Sequence, residues 1–407
     1  MHILMAWRNI WRNPRRTLVI LTAVVIGVWS MIFLGALMRG LTNQFLEIGI
    51  STLTGHIQVH HQDFRSDPVI QNRIDRPERV AQALEAVLPP GSHWTGRIRV
   101  NAIANTARHA QGVTLVGIDP EREARVSFIG GAVKEGTYLE RDDPYGILIG
   151  KALVEKFETR LDRRVVLMSR DAAGKVASRA FRIRGIFRAE TEATEKQFVF
   201  VTEAAARDML GLEQGITEAA VLLPSHEMTG KTAQALEGRL PVPPLAVETW
   251  RDLLPLVRVT IELYDTFIFL WFLVVFIAMA FGIVNTLLMA VFERIREFGL
   301  LKALGMRPRG IVQGVLAESF FLLLLGAAAG NALGVLSVSL LAESGIDLSA
   351  MAEGLEYVGM PRVVHPQLQG GDFLLANVVV FVLGIVVSLY PAVKAARFTP
   401  VEALAHT

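Results

Sequence analysis

Three short segments of this 407-residue chain carry residue types at spacings that could support chemistry. The run Ser225-His-Glu-Met-Thr-Gly230-Lys231-Thr232 follows the apolar stretch Ala219–Leu223 and ends in the Gly-Lys-Thr of a phosphate-binding loop. Such a loop cradles phosphates on backbone N–H groups and opens with a glycine, where Ser225 stands here, so the match reads as coincidence. His56-Ile-Gln-Val-His60-His61 offers three imidazoles. On a strand, residues four apart are separated by about 13 Å, so His56 and His60 cannot share one ion and read as surface or interface positions. There is no cysteine, which removes thiolate nucleophiles, disulfides and Cys-type zinc or iron–sulfur sites. Neither Gly-x-Ser-x-Gly nor His-Glu-x-x-His occurs, so neither a hydrolase elbow nor a zincin helix is indicated. The expectation is a non-enzyme with no catalytic residue and no metal site.

The third segment, Phe292-Glu-Arg-Ile-Arg-Glu-Phe-Gly-Leu-Leu-Lys-Ala-Leu-Gly305-Met-Arg-Pro308, is the informative one. Ile295, Phe298, Leu301 and Leu304 form an apolar stripe at helical spacing, beside Glu293, Arg294, Arg296, Glu297 and Lys302. Gly305 followed by Pro308 marks its end. This is a short amphipathic helix: either an interfacial helix with a solvated charged face, or a docking helix for the groove of another protein.

The elements that position it follow from where charge is missing. Thr17–Met38, Thr266–Phe292, Ser319–Ala342 and Phe373–Val393 contain no Asp, Glu, Lys or Arg. Each is long enough to cross a hydrocarbon layer of about 30 Å as a helix. The first run outlasts the apolar core of a signal peptide and no A-x-A site follows it, so it reads as a retained anchor. All charges fall outside these runs, which leaves the remainder of the chain at an ordinary soluble charge density. Overall, 41 Lys+Arg stand against 39 Asp+Glu, a net charge of +2 that gives no reason to expect a nucleic-acid partner.

Basic residues set the orientation. Arg8, Arg12, Arg15 and Arg16 precede the first span, the link 293–309 is mainly basic, and Lys394 and Arg397 follow the last. The link 343–372 holds one basic residue, Arg362, against several acids. Both termini are therefore expected in the cytoplasm, with segments at 1–16 (an interfacial helix bearing Trp7 and Trp11), 17–38, 39–265, 266–292, 293–309, 310–342, 343–372, 373–393 and 394–407. The large external region 39–265 alternates strand-like runs with helical patches, so it reads as an α+β domain inserted between spans one and two. Leu41, Phe45, Leu46 and Ile50 extend span one as a stalk, and Trp250 to Tyr264 form a second stalk entering span two.

Several of these stretches resemble one family. Glu293–Gly305, Glu318 at the head of span three, and Gly326-x3-Gly330-x3-Gly334 are similar to FtsX/MacB-type ABC transporter permeases. So are the opening Ala6-Trp-Arg-Asn-Ile-Trp-Arg-Asn-Pro-Arg-Arg-Thr17, the external Gly146-Ile-Leu-Ile-Gly-Lys-Ala-Leu through Phe187, and the closing Tyr390-Pro-Ala-Val-Lys-Ala-Ala-Arg397-Phe-Thr-Pro-Val-Glu-Ala-Leu404. The resemblance implies four membrane helices with a MacB-like extracytoplasmic domain between helices one and two, in an inner membrane with that domain periplasmic. It also implies a mechanotransmission scheme in which ATP and magnesium sit on a separate cytoplasmic ATPase dimer and a second permease copy or homologue completes the complex.

Glu293, Arg294, Arg296, Glu297, Phe298, Leu301, Lys302 and Gly305 would form the coupling helix seated on the ATPase. Gly326, Gly330 and Gly334 would let span three pack closely against another helix. Domain size and the placement of Arg39 and Gly55-His-Ile-Gln-Val59 look most like the Lol-type lipoprotein-releasing permeases, whereas the Arg-Asn-rich opening is nearer the wider MacB pattern. A Lol-like cargo crevice for acyl chains would fall at Met38, Leu41, Phe45, Leu263, Phe267 and Ile268, with membrane lipid and lipoprotein cargo as partners. The hairpin Met168–Val176, with Asp171 and Lys175 at its tip, lies where that family recruits a periplasmic carrier. MacB-like efflux with a periplasmic adaptor, or FtsX-like regulation of an external enzyme, are the alternatives.

Overall fold

The computed structural model describes residues 7–347 and 363–399. Residues 1–6 of the expected interfacial helix, the tail beyond Thr399 and half of the link 343–372 lie outside the described residues. The main helices run in the order α1 (Pro14–Gly49), α2 (Pro77–Val87), α3 (Lys151–Lys156), α4 (Glu203–Leu210), α5 (Thr229–Glu237), α6 (Pro255–Glu293), α7 (Ile295–Ala303), α8 (Pro308–Ser344) and α9 (Gly370–Arg397). Two compact units contain them.

The first unit is built from α1, α6, α8 and α9, which are long and apolar enough to cross a membrane by length and composition. Each charge-free run is the middle of a longer helix, because the chain stays helical past the apolar stretch at both ends. α6 buries Ile268, Phe272, Phe276, Met279, Ile283 and Leu287, one face of a helix. They meet Ile20, Val24, Val28 and Met31 of α1, Leu322 and Leu323 of α8, and Val380 of α9. The other face of α6 exposes Phe267, Phe269, Leu270, Phe281 and Met289, an apolar surface that suits lipid and not water. Polar side chains inside the bundle are paired: Asn331 and Asn377 exchange hydrogen bonds at 2.7 and 3.1 Å, and the Trp29 indole N–H donates to Ser337 Oγ at 3.2 Å.

The second unit is the α+β domain, with one ten-stranded sheet. Its strands are β1 (Ile57–His61), β2 (His93–Asn105), β3 (Ala110–Ile118), β4 (Val133–Gly136), β5 (Gly146–Gly150), β6 (Arg164–Arg170), β7 (Val176–Phe187), β8 (Phe198–Thr202), β9 (Glu218–Leu222) and β10 (Leu245–Thr249). The path β2-β3-β8-β5-β7 closes through β6, which pairs with both β7 and β2. A closed barrel results, and closure removes the edges that would otherwise template association. Strand alternation fills it: Ile98, Val100, Ala102, Val113, Leu115, Ile147, Ile149, Val165, Leu167, Phe181, Ile183, Val199 and Val201 point into one core. Intervening residues Val116, Ile118, Leu148, Phe187 and Phe200 build a second cluster on the outer face. α4 caps the barrel, its N-terminus satisfied by Thr202 Oγ1, which accepts from the Ala205 N–H, and its C-terminus turned by Gly211 at φ 65°.

β2 is the long strand that makes two lobes from one sheet. Its first part, His93–Arg97, pairs with β9, while Ile103–Asn105 pairs with β6. The smaller lobe, β10-β1-β9 and the start of β2, packs against α2 and α5 through Ile57, Val59, Val80, Leu84, Val221 and Leu236.

Candidate functional site

α7 is bounded by a break at Arg294 and by Gly305, whose φ of 94° is a conformation glycine adopts without strain. Its apolar stripe divides. Ile295 is buried, Phe298 is buried with Val291, Ile311 and Val315, and Leu301 is half-buried against the same cluster. Leu300 and Leu304 are exposed at 55% and 77%, and Arg296 on α7 and Arg307 just beyond its end are exposed too.

The charged residues of α7 and its approach are engaged within the unit. Arg12 reaches Glu297 at 2.5 Å, Arg16 pairs with Glu293, and Asn13 Nδ2 donates to Glu293 at 3.2 Å. Arg294 bridges Glu297 at 3.0 Å and Glu318 at 3.1 Å. Burial works against ionising Glu297, but hydrogen bonds from Arg12 and Arg294 outweigh it and hold its carboxyl below the usual glutamate value. Lys302 Nζ donates to the carbonyls of Ala396 and Phe398 at 2.5 and 2.6 Å, capping the end of α9. The segment before α1 also packs inward: Ile10 is buried, Thr17 donates to its carbonyl, and Trp7 meets Phe321 edge-on at 5.5 Å. α7 is thus clamped between the N-terminal segment and the end of α9, with Leu300 and Leu304 left exposed.

At the opposite end of these helices are the residues expected to line the cargo crevice. Leu41 and Ile268 are buried, Met38 and Phe45 are half-buried, and Leu263 and Phe267 are exposed. Among them sits an ion cluster that sequence reasoning missed. Arg39 forks onto Asp372 at 2.6 and 3.0 Å and reaches Asp265 at 2.6 Å, tying α1, α6 and α9 together. The available signal was that Arg39, Asp265 and Asp372 each border a charge-free run. Beside it, Gly40 lies so close to His365 that a Cβ would collide with its carbonyl oxygen. Gly326, Gly330 and Gly334 face Val24, Val28 and Ile32 of α1, with would-be Cβ contacts of 2.6, 2.8 and 2.9 Å.

The remaining motifs have local roles. Thr232 Oγ1 donates to the Met228 carbonyl at 2.9 Å inside its own helix, and no glycine-rich loop precedes it. His56 Nδ1 accepts from the Leu223 N–H at 3.1 Å, and His60 Nδ1 lies 2.8 Å from the His61 carbonyl. No group of three or more metal-ligating side chains occurs among the described residues. At the Met168–Val176 hairpin, Asp171 Oδ1 accepts from the N–H groups of Ala173 and Lys175, and the Ala172 N–H donates to the Leu210 carbonyl at 3.0 Å, pinning the tip to the end of α4.

Family models match both parts of this architecture: the MacB-like periplasmic core domain over residues 17–239 and the FtsX-like permease C-terminal domain over 268–400. The chain belongs to the FtsX/MacB-type ABC transporter permeases. This type VII permease is similar to the lipoprotein-releasing system transmembrane protein LolC of Xylella fastidiosa, at 23% identity over 76% of each chain. It is 25% identical to the macrolide export ATP-binding/permease protein MacB of Escherichia coli over 99% of this chain, but spans only 60% of that protein. An uncharacterized ABC transporter permease of Methanocaldococcus jannaschii is 23% identical over 99% of this chain and 97% of its own. The periplasmic region of MacB from Actinobacillus actinomycetemcomitans superposes with a TM-score of 0.36 at 13% identity, covering 53% of this chain and 98% of that one. The permease is therefore a multi-pass membrane protein with an extracytoplasmic domain, and ATP hydrolysis belongs to a partner ATPase.

Proposed function

We propose that this permease receives the closure of a cytoplasmic ATPase dimer through α7 and converts it into movement of its extracytoplasmic domain, extracting lipoprotein or lipid from the membrane. ATP and magnesium reside on the ATPase, and a second permease copy or homologue completes the complex. The observation that carries this reading is α7 itself, held by its charged residues and presenting Leu300 and Leu304. A docking helix needs such a stripe, rigidly held, so that force applied to it moves the attached helices. The charge-free spans support transmission over passage, because a polar-solute path through a bundle calls for ionisable groups along it. The Lol-like relative favours acylated cargo taken up where Leu263 and Phe267 are exposed. The MacB likeness across nearly the whole chain supports a second reading, export of small amphiphiles with an adaptor.

In the reconstituted permease–ATPase complex, Leu300→Glu and Leu304→Glu together are expected to lower stimulated ATP hydrolysis about tenfold, the loss of roughly 1.4 kcal/mol of coupling. Full ATPase binding and full stimulation in that variant would overturn the coupling role. Photocrosslinking from Leu263 and Phe267 separates the cargoes: acylated protein supports lipoprotein release, a small amphiphile supports efflux, and neither supports a regulator of an external enzyme.

A further inference from the structure

The extracytoplasmic domain contains a buried ion cluster at the place where three of its parts meet. Arg97, on β2, is fully buried, and so are Glu123 and Glu218. The guanidinium forks onto Glu123, Nε to Oε2 at 2.9 Å and Nη2 to Oε1 at 2.8 Å. Nη1 reaches Glu218 Oε1 at 3.2 Å and also donates to the carbonyl of Leu53. Arg99 approaches the other Glu218 oxygen at 3.1 Å.

Each partner belongs to a different part of the domain. Glu123 ends the helical turn Pro120–Glu123 that follows β3 of the barrel, and Glu218 begins β9 of the smaller lobe. Arg97 is the residue at which β2 pairs with both, opposite Ile118 of β3 and Glu218 of β9. Leu53 lies in the π-turn Ile50–Thr54 that closes α1.

The Leu53 backbone is strained, with φ 134° and ψ −12° in a residue that has a Cβ. Strain of this kind persists only where surrounding structure over-determines it, and π-turns concentrate at functional positions. Here both ends of the residue are held. Its side chain is buried in the outer-face cluster with Val116, Ile118, Leu148, Phe187 and Phe200 of the barrel strands. Its carbonyl takes the Arg97 donor and a second one, Gln58 Nε2 at 3.2 Å from β1 of the smaller lobe. A buried ion cluster is a poor device for stability alone, since apolar residues of the same volume serve as well or better. What it supplies is a fixed geometry among several acceptors, which the planar five-donor guanidinium suits and an ammonium does not.

We propose that Arg97 is the joint binding the end of the first long helix to both lobes of the extracytoplasmic domain, so that displacement of that helix carries barrel and smaller lobe as one body. Arg97 is a positioning residue, and its role rests on the mechanotransmission reading given above.

This chain has no cysteine, so the permease can be spin-labelled at introduced positions before assembly with the ATPase in nanodiscs. Labels at Glu47→Cys and Val176→Cys read stalk to barrel, and labels at Glu47→Cys and Glu85→Cys read stalk to smaller lobe; all three sites are exposed. Both distances are expected to be narrow in the otherwise unchanged chain, with or without nucleotide. In Arg97→Met/Glu123→Gln/Glu218→Gln, which removes the charges together, at least one distribution should widen twofold or more while ATP turnover stays within twofold. Arg97→Lys, which keeps the charge but loses the fork, should widen it too and serves if the triple variant fails to fold. Unchanged widths in whichever variant folds would overturn the joint. The transmission reading has its own test: the Val176-to-Val176 distance between the two permease copies should shift with ATP. If it does not, while the intrachain widths still respond to Arg97, transmission fails and the joint stands.

Discussion

His56 is 7% exposed just before β1, and its Nδ1 accepts the Leu223 N–H, which fixes the ring as the neutral tautomer protonated on Nε2. Burial, helped by the nearby His226, pushes its pKa down to about 4. A depressed folded-state value means the unfolded chain binds the proton more readily. The stabilisation is therefore fully present above the ordinary histidine pKa, near 6.5, and drains away as pH falls to about 4. Thermal melts of the permease between pH 7.5 and 4.5 should show the extracytoplasmic domain losing up to about 3 kcal/mol from this group. His56→Asn, whose Oδ1 can accept the same N–H, should flatten that dependence; equal slopes in the two proteins would remove His56 as the cause. Arg97 shows what single residues hide. On β2 it alternates with the inward Ile98 and so reads as a solvated outer position, yet β9 and the Leu53 turn cover that stretch of the outer face.

Among elements, α8 packs closely on α1 through its glycines. A methyl at Gly330 would stand 2.8 Å from Val28 Cβ and 2.9 Å from the Val25 carbonyl oxygen, so backbone must move to admit it. Gly330→Ala should cost about 1–3 kcal/mol, the usual scale for overpacking. Gly314→Ala, on the same helix with open space around it, should be neutral or slightly stabilising. Melting of the two variants in one detergent checks this, and indistinguishable curves would mean the groove yields freely. The spans, the stalks and most barrel strands are legible in sequence because charge-free length and apolar alternation follow directly from the two solvents involved. β4 and β10 are not: Val133-Lys-Glu-Gly136 has no alternation, and Leu245–Thr249 follows Pro241, Pro243 and Pro244, which read as loop. β2 begins at His93, ahead of the apolar alternation that starts at Ile98, because its early residues pair with β9, a partner local pattern cannot reveal. The same limit applies at α7, where Glu293, Glu297 and Lys302 look like docking charges until their intramolecular partners at Arg16, Arg12 and the end of α9 are seen.

For the whole molecule, the near-cancellation of charge conceals a polarity along the membrane normal. The residues before α1, the α7 link and the end of α9 are rich in arginine and lysine, while the link 343–372 holds five acids against one basic residue, Arg362. Short basic loops resist translocation, so this asymmetry predicts both termini and α7 on the cytoplasmic side, where an ATPase could reach them. The arrangement is directly testable because any introduced cysteine is unique. Val176 is exposed at the hairpin of the barrel, and Arg309 is exposed in the first turn of α8. In intact spheroplasts, a membrane-impermeant maleimide should label Val176→Cys; Arg309→Cys should react only after permeabilisation. Arg309→Cys leaves four basic residues in the link 293–309, enough to preserve the sign of the asymmetry. Labelling of Arg309→Cys from outside would reverse the orientation. It would also place the Leu300 and Leu304 stripe away from ATP, so one experiment bears on topology and on coupling together.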